Sequence, residues 1–181
     1  MEAQKFQGLI EKIRSNTYVE SELNLSICEF DEARFVDRLT DEQGVILAEA
    51  IKQNTHITKI NLDGNEIGDG AAIALTSVST LYGLNLANNL IRLEGLMGLA
   101  KSNLKNLTIT IRLGEGLIGI EDVLGGFILN KTLESLDLSH SYIPSHLIAE
   151  LIVKNTTIKT LGLPCIEDEA LRSITHNKTL K

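Results

Sequence analysis

The chain lacks most of the features that announce a destination or a chemistry. Its start, Met1-Glu2-Ala3-Gln4-Lys5, has none of the basic-then-apolar profile of a secretory signal. No apolar run approaches the roughly 20 residues needed to cross a bilayer, so no membrane-spanning helix is expected. Cysteine is scarce: Cys28 and Cys165 are the only two. They lie too far apart in sequence to suggest a disulfide framework, and a reducing, cytoplasmic compartment is expected. There is no CxxC, and His56, His140, His146 and His176 fall at no ligand spacing, so no metal site and no cofactor are expected. Positive charge is also in deficit. With 17 Lys and Arg against 24 Asp and Glu, the net charge is −7. That balance argues against binding nucleic acid or an anionic membrane through bulk charge.

What remains is a chain of 181 residues, 43% hydrophobic, with no polar tract. It is long enough for one domain with a real core and is expected to be ordered throughout. The stretch Ile57 to Leu75 carries the clearest pattern. Ile60 and Leu62 sit two apart, so they point to one side of a strand while Lys59, Asn61 and Asp63 point to the other. Asn65 follows where the chain must turn, and its carboxamide can bond backbone there. The run Gly68-Asp69-Gly70-Ala71-Ala72-Ile73-Ala74-Leu75 then reads as a glycine turn opening a short helix, with Asp69 placed where a helix start favours an acid. One such unit cannot bury its own apolar face, so copies must stack.

The copies are present. Leu23-Asn24-Leu25 begins the first, with Cys28 at the asparagine position; Leu84-Asn85-Leu86 with Asn89 belongs to the third. Leu136-Asp137-Leu138 and Leu161-Gly162-Leu163 mark the fifth and sixth, with Ser141 and Ile166 at the asparagine position. In the fourth, Thr108-Ile109-Thr110-Ile111-Arg112-Leu113 fits two registers. Pairing Ile109 with Ile111 spaces the anchors more evenly than pairing Leu107 with Ile109, and it sets Gly114 at the asparagine position. Gly114, Gly116, Gly119, Gly125 and Gly126 form no phosphate-binding loop and are expected to mark tight turns and a poorly packed fourth repeat. Thr40 and Gln43 spell a capping box ahead of a helix whose apolar face is Val45, Ile46, Leu47, Ala48 and Ile51. Pro144 suits the first turn of a helix ending near Val153. Phe6, Leu9, Ile10 and Ile13 form a helical stripe that would cover the exposed end of the first repeat. The last residues, Asn177-Lys178-Thr179-Leu180, restate Asn130-Lys131-Thr132-Leu133. They read as the start of a further unit, so the array is expected to be incomplete there or thinly capped, with an open edge able to pair weakly with a second copy.

The segment resembles a leucine-rich repeat, and its helical second half resembles the ribonuclease-inhibitor-like subtype. The resemblance covers about Leu23 to the C-terminus. It implies an α/β solenoid of about six repeats, with a curved parallel sheet on the concave side and helices on the convex side. Residues 1–18 would be an N-terminal cap helix and 19–181 the repeats of a single domain. It also implies a non-catalytic protein-interaction module, either standing alone or forming the recognition segment of a larger regulatory protein. Small repeat proteins of this composition are similar to effectors of intracellular bacteria. The acidic run Glu167-Asp168-Glu169 resembles a C-terminal translocation signal, although acids at a helix start also suit its dipole. For an effector the partner would be a host protein, reached in the host cytosol by a route without a signal peptide.

Stacked strands lie about 4.8 Å apart, so outward residues at equal positions form columns on the concave face. One expected column is Asn24, Asn61, Asn85, Thr110, Asp137 and Gly162; its neighbour is Glu22, Lys59, Gly83, Thr108, Ser135 and Thr160. Asp63, Arg112, Asn88 and His140 stand in the columns beyond. A solvated face and a binding face both fit this polar composition. Among residue types that anchor interfaces, only Arg112 falls in these columns. Tyr82 and Tyr142, near strand ends, could serve as packing or as anchors. The columns also set Cys165 beside His140 with Asp137 near, the residue types of a cysteine nucleophile and its base. With no oxyanion hole or cleft in view, the chain is expected not to be an enzyme, and a Cys/His hydrolase is the remaining alternative.

Overall fold

Short strands and short helices alternate along the whole chain. In this computed structural model the described residues are 3–27, 38–112, 119–164, 172–175 and 177–180. The elements run α1 (Ala3–Arg14), β1 (Glu22–Asn24), α2 (Asp41–Ile51), β2 (Lys59–Asn61), α3 (Asp69–Thr76) and β3 (Gly83–Leu86). They continue as α4 (Leu93–Ala100), β4 (Asn106–Ile109), α5 (Ile120–Leu129), β5 (Ser135–Asp137), α6 (Ser145–Lys154) and β6 (Thr160–Gly162). The six strands make one parallel sheet in chain order, and the helices pack on their sequence neighbours in the same order. This is the expected α/β leucine-rich-repeat solenoid.

The core lies between sheet and helices, because only one side of each strand is apolar. Leu23, Ile60, Leu84, Leu107 and Leu136 are buried at the strand centres, backed by Leu62, Leu86, Ile109 and Leu138 two residues on. At the N-terminal end α1 lays Phe6, Ile10 and Ile13 onto the core, as its stripe predicts. Thr40 and Gln43 form the capping box at the start of α2. The face of α2 differs from expectation: Leu47, Ala48, Ala50 and Ile51 are buried, whereas Ile46 points outward at 42% exposure. A strict helical period puts Ile46 one residue ahead of the buried stripe.

The fourth repeat takes the register that the even-spacing argument rejects. Leu107, not Ile109, stands beside Leu84 and Leu136. The register is fixed at the strand entrance. The carbonyls of Ser21, Thr58, Tyr82, Lys105 and Glu134 each accept two successive N–H groups from the next repeat, and for Tyr82 those donors are Lys105 and Asn106. An apolar residue three positions earlier locks this geometry: Ile57 before Ile60, Leu81 before Leu84, Leu104 before Leu107 and Leu133 before Leu136, all buried. The rejected register would put exposed Asn106 in that slot. The longer spacing therefore falls after the strand, and Arg112 rather than Gly114 occupies the asparagine position. Gly114, Gly116 and Cys28 lie outside the described residues.

Gly125 and Gly126 mark no turn; both lie within α5. A Cβ on Gly126 would come within 2.8 Å of the Ala100 Cβ, so its bareness lets α5 approach α4 closely. Gly119 does start a turn, at φ +85 just ahead of α5. Gly64 is the other position that needs glycine: its φ is +76, and a Cβ would meet the Ile27 carbonyl oxygen at 2.3 Å.

Two sets of buried and half-buried asparagines tie repeat to repeat. Asn65, 1% exposed, accepts from Leu39 N–H at 2.8 Å and donates to the Leu25 and Leu62 carbonyls at 2.9 Å. Asn89 accepts from Ile67 N–H and donates to the Leu62 and Ala87 carbonyls. At Ser141 the hydroxyl does the same on a smaller scale, accepting from Ile111 N–H at 2.9 Å and donating to the Ile109 carbonyl at 3.4 Å. The second set sits where helix turns to strand. Asn54, Asn130, Asn155 and Asn177 each accept from the N–H groups two and three residues on. Their amides donate to carbonyls of the preceding unit: Asn130 to Ala100 and Ser102, Asn155 to Phe127, Asn177 to Ile152. The turn at Asn177–Leu180 thus docks on the end of α6, with Leu180 against the core.

The expected acid at the helix start has a more specific task than meeting a dipole. Neither Gly68 nor Arg92 caps its own helix with a side chain. Asp41, in the first turn of α2, accepts from the N–H groups of Gly68 at 2.9 Å and Ala71 at 2.8 Å, and so caps α3. Asp69 in α3 accepts from Arg92 N–H at 2.7 Å ahead of α4. Thus α2 caps α3, and α3 caps α4. We expect Asp41→Ala to cost about 2 kcal/mol, because two helix-start N–H groups lose a charged acceptor. Thermal melting followed by circular dichroism should then show a fall of about 6 °C.

Candidate protein-binding face

The concave face is built by the outward side chains of β1 to β6, and backbone turns fix their orientation. Asn24 Oδ1 accepts from Ser26 N–H at 3.1 Å, Asn61 Oδ1 from Asp63 N–H at 3.1 Å, and Asn85 Oδ1 from Ala87 N–H at 3.0 Å. Asp137 does the same with Ser139 N–H at 2.9 Å. A backbone N–H can only donate, so the atom facing it is the carboxamide oxygen and the NH2 group points away. Those NH2 groups of Asn24, Asn61 and Asn85 have no partner among the described residues. Registers Asn24–Asn61 and Asn61–Asn85 set them side by side on adjacent strands.

The corrected fourth register changes the expected columns. Thr108, not Thr110, stands between Asn85 and Asp137, and Asn106, not Thr108, stands between Gly83 and Ser135. Thr110 is 6% exposed, and its Oγ1 accepts from Asn88 N–H at 3.1 Å. It supports the turn after β3 and is not a concave-face residue. The signal for the true register is the apolar pair Leu104 and Leu107, which repeats the spacing of the other strands.

Asp63, Asn88 and Arg112 come together in one network. Asn88 Nδ2 donates to Asp63 Oδ1 at 3.1 Å, and Arg112 Nη2 donates to Asn88 Oδ1 at 3.3 Å. Asn88 itself has φ +52, a left-handed turn held by those side chains. Arg112, the expected anchor, is therefore spent partly on holding this turn. His140 is exposed, while Cys165, expected beside it, lies outside the described residues. Glu167, Asp168 and Glu169 lie outside them too. Among the described residues no group of three His, Cys, Asp or Glu could hold a metal ion. No described helix is long and apolar enough to cross a membrane.

Around Gly83 the face sinks into an open depression of about 260 Å³. Its floor is Ile60 and Leu84, and its walls are Glu22, Lys59, Asn61, Asn85, Asn106 and Thr108. Gly83 lets the Lys59 stem lie across the strand, since a Cβ there would come within 2.9 Å of the Lys59 side chain. The Lys59 ammonium stands over the Tyr82 ring, 5.6 Å from its centroid, and makes no ion pair among the described residues. Tyr82 thus packs against Lys59 at the rim, whereas Tyr142 is 72% exposed. Farther along the sheet the charges at the strand entrances are paired at one point: Glu134 meets Lys159 at 2.5 Å and Lys105 at 3.7 Å. The Lys159 hydrogen bond, with the charges around it, holds the Glu134 carboxyl below the usual carboxylate range. At the other end of the sheet, burial and then the nearby Glu20 charge push the Tyr18 phenol upward.

With this geometry the chain is similar to several known proteins. The family described as "Leucine Rich repeat" matches residues 53–75. No curated protein matches the chain in sequence. Among solved structures, a tropomodulin C-terminal domain from Caenorhabditis elegans is similar over 94% of this chain and 89% of its own, at 17% identity and a TM-score of 0.52. A structure of Leiomodin-1 Actin-Binding Site 2 is similar over 94% of this chain and 85% of its own, at 20% identity and a TM-score of 0.55. At these identities the likeness is one of fold.

Proposed function

We propose, starting from the premise that this chain is a leucine-rich-repeat protein, that it is a non-catalytic interaction module whose concave face docks another protein. One observation carries the reading. Side chains from successive strands form a row in which each carboxamide oxygen is held by its own backbone and each NH2 is left for a partner. Preorganised donors of this kind lose little freedom on binding, which is what a docking surface needs. The site residues are then Glu22, Asn24, Lys59, Asn61, Asp63, Asn85, Asn88, Arg112, Asp137 and His140, with Asn106 and Thr108 in place of Thr110.

The resemblance to small repeat proteins of intracellular bacteria supports a eukaryotic host protein as the partner, met in the cytosol. One structurally similar domain is named as an actin-binding site, so actin is the first defined partner to try. The test is retention of purified actin, and of proteins from a eukaryotic lysate, by the immobilised chain. A variant carrying Asn61→Arg, Asn85→Arg and Asp137→Arg runs beside it. A protein held by the parent and lost at least tenfold by the variant, with the circular dichroism spectrum unchanged, is the expected result, since three bulky cations would cover the face. Equal retention would move the site off the concave face.

A further inference from the structure

The depression at Gly83 has a charge and hydrogen-bond pattern that selects among ligands. Its donors are Lys59 Nζ and the carboxamide NH2 groups of Asn61, Asn85 and Asn106. Asn106 makes no side-chain hydrogen bond among the described residues, and the other two have their oxygens engaged by Asp63 and Ala87 N–H groups. Thr108 adds a hydroxyl that can donate or accept. Against these, the strongest acceptor in the walls is the Glu22 carboxylate. Glu22 stands at the outer end of the hollow, on β1, with Lys59 between it and Gly83 in register. A surface with two oriented amide donors, a further amide at Asn106 and an ammonium without an ion pair among the described residues fits a ligand that supplies acceptors. The Lys59 stem lies across Gly83, and the open hollow of about 260 Å³ beside it takes one side chain of an extended segment, not a folded surface.

We infer that the depression at Gly83 is a seat for the carboxylate of a Glu or Asp side chain in a partner's extended segment, held between Lys59 and the amides of Asn61, Asn85 and Asn106. The inference rests on the concave-face reading of the protein and specifies its partner chemistry. It also assigns opposite signs to the two charges in the walls. Lys59 attracts the ligand and Glu22 repels it, so neutralising them must move affinity in opposite directions. Salt must weaken the binding, because the site is open to solvent and mobile ions screen the attraction between Lys59 and the carboxylate.

The probe is the peptide acetyl-Ser-Ser-Glu-Ser-Ser-amide, compared with versions carrying Gln or Lys at the centre. Each is titrated into the nitrogen-15-labelled full chain to millimolar concentration, and the side-chain NH2 signals of Asn61, Asn85 and Asn106 are followed by NMR. The Glu peptide is expected to shift these signals saturably and the Gln and Lys peptides not to. Lys59→Met should weaken the Glu peptide about fivefold, and Glu22→Gln should strengthen it by about twofold, as expected for charges acting through water-like surroundings. Both side chains are exposed, so neither variant threatens the fold; unchanged backbone amide signals in the helices verify this. Absence of a saturable shift, equal shifts from the Lys peptide, or unchanged affinity in Lys59→Met each overturns the carboxylate seat. If the peptide fails while a partner still depends on Asn61, Asn85 and Asp137, the seat falls and the docking face stands. If the peptide binds as expected while retention ignores that face, the docking reading falls and the seat stands.

Discussion

Asn130→Ala is expected to lower the unfolding free energy by about 4 kcal/mol, at roughly 1 kcal/mol for each of four main-chain bonds lost. Asn130 is 8% exposed and serves four backbone groups at once. Its amide donates to the Ala100 and Ser102 carbonyls at 2.9 Å, and its oxygen accepts from Thr132 N–H at 2.9 Å and Leu133 N–H at 2.8 Å. Alanine leaves all four inside the stack with no room arranged for water. Urea unfolding followed by circular dichroism measures the loss as a drop in midpoint at unchanged slope. Asn130→Asp separates the two halves of the function. It keeps an acceptor for the two N–H groups but turns a carboxylate toward two carbonyls, so burial and repulsion raise its folded pKa. A raised folded pKa means that the native state holds the proton to higher pH than the unfolded state. Stability of Asn130→Asp should therefore recover as pH falls and worsen as pH rises through the interval between the two values. Asn130→Ala should show no added pH dependence. A loss under 1 kcal/mol in the alanine variant would mean that the carboxamide ladder is decoration on a stack held by packing alone.

This position shows how far the sequence can be read. The recurrence of Asn130-Lys131-Thr132-Leu133 at Asn155 and Asn177 is visible there and marks the boundary between units. That the same asparagine bonds backward to the preceding helix end is not visible, because sequence gives period but not the direction of a carboxamide. The fold itself is legible, since alternation at Ile60 and Leu62, the turn at Asn65 and the helix from Asp69 agree with one another and repeat. The fourth register misleads because evenness of spacing is a weak constraint. Insertions go into the strand-to-helix connection, so the true constraint is the local pair Leu104 and Leu107, which sets the strand entrance through the Tyr82 carbonyl. The cost of that slip falls on the candidate site. It places buried Thr110 on the face and leaves out Asn106, one of the donors around Gly83. The hollow itself is beyond reach, because glycine in an outward column reads as an absence. That the Lys59 side chain lies across this glycine from the neighbouring strand, beside an open depression, is visible only in the structure. The capping of a following helix by Asp41 and by Asp69 is half legible: an acid at a helix start suggests its own dipole, while the structure aims it at the next helix.

Phe127→Ala is expected to cost about 4 kcal/mol and, more tellingly, to split the unfolding transition. The core is almost wholly aliphatic, and Phe127 is its largest fully buried side chain, at 0% exposure in the middle of the stack. Removing an aromatic ring there leaves a cavity that the neighbouring helices cannot easily close. Gly126 already brings α5 against Ala100, so further inward movement on that side meets backbone and Cβ atoms. The Phe127 carbonyl still accepts from Asn155 at 2.9 Å, so the backbone tie survives and the loss is one of packing. In a stack where each unit touches only its neighbours, stability is close to a sum of contributions from units and from the interfaces between them. Weakening one interior unit by more than its neighbours can share should uncouple the units on either side. Native-state hydrogen exchange would locate the break. Amides of β2 and β3, which lie on α1 to α4, should keep most of their protection. Amides of β5 and β6 should exchange far faster, since they are left with α6 and the turn at Asn177–Leu180 to hold them. A uniform fall in protection across all six strands, with a single sharp transition, would show instead that the solenoid unfolds as one cooperative body and that α5 is no weaker a joint than the rest.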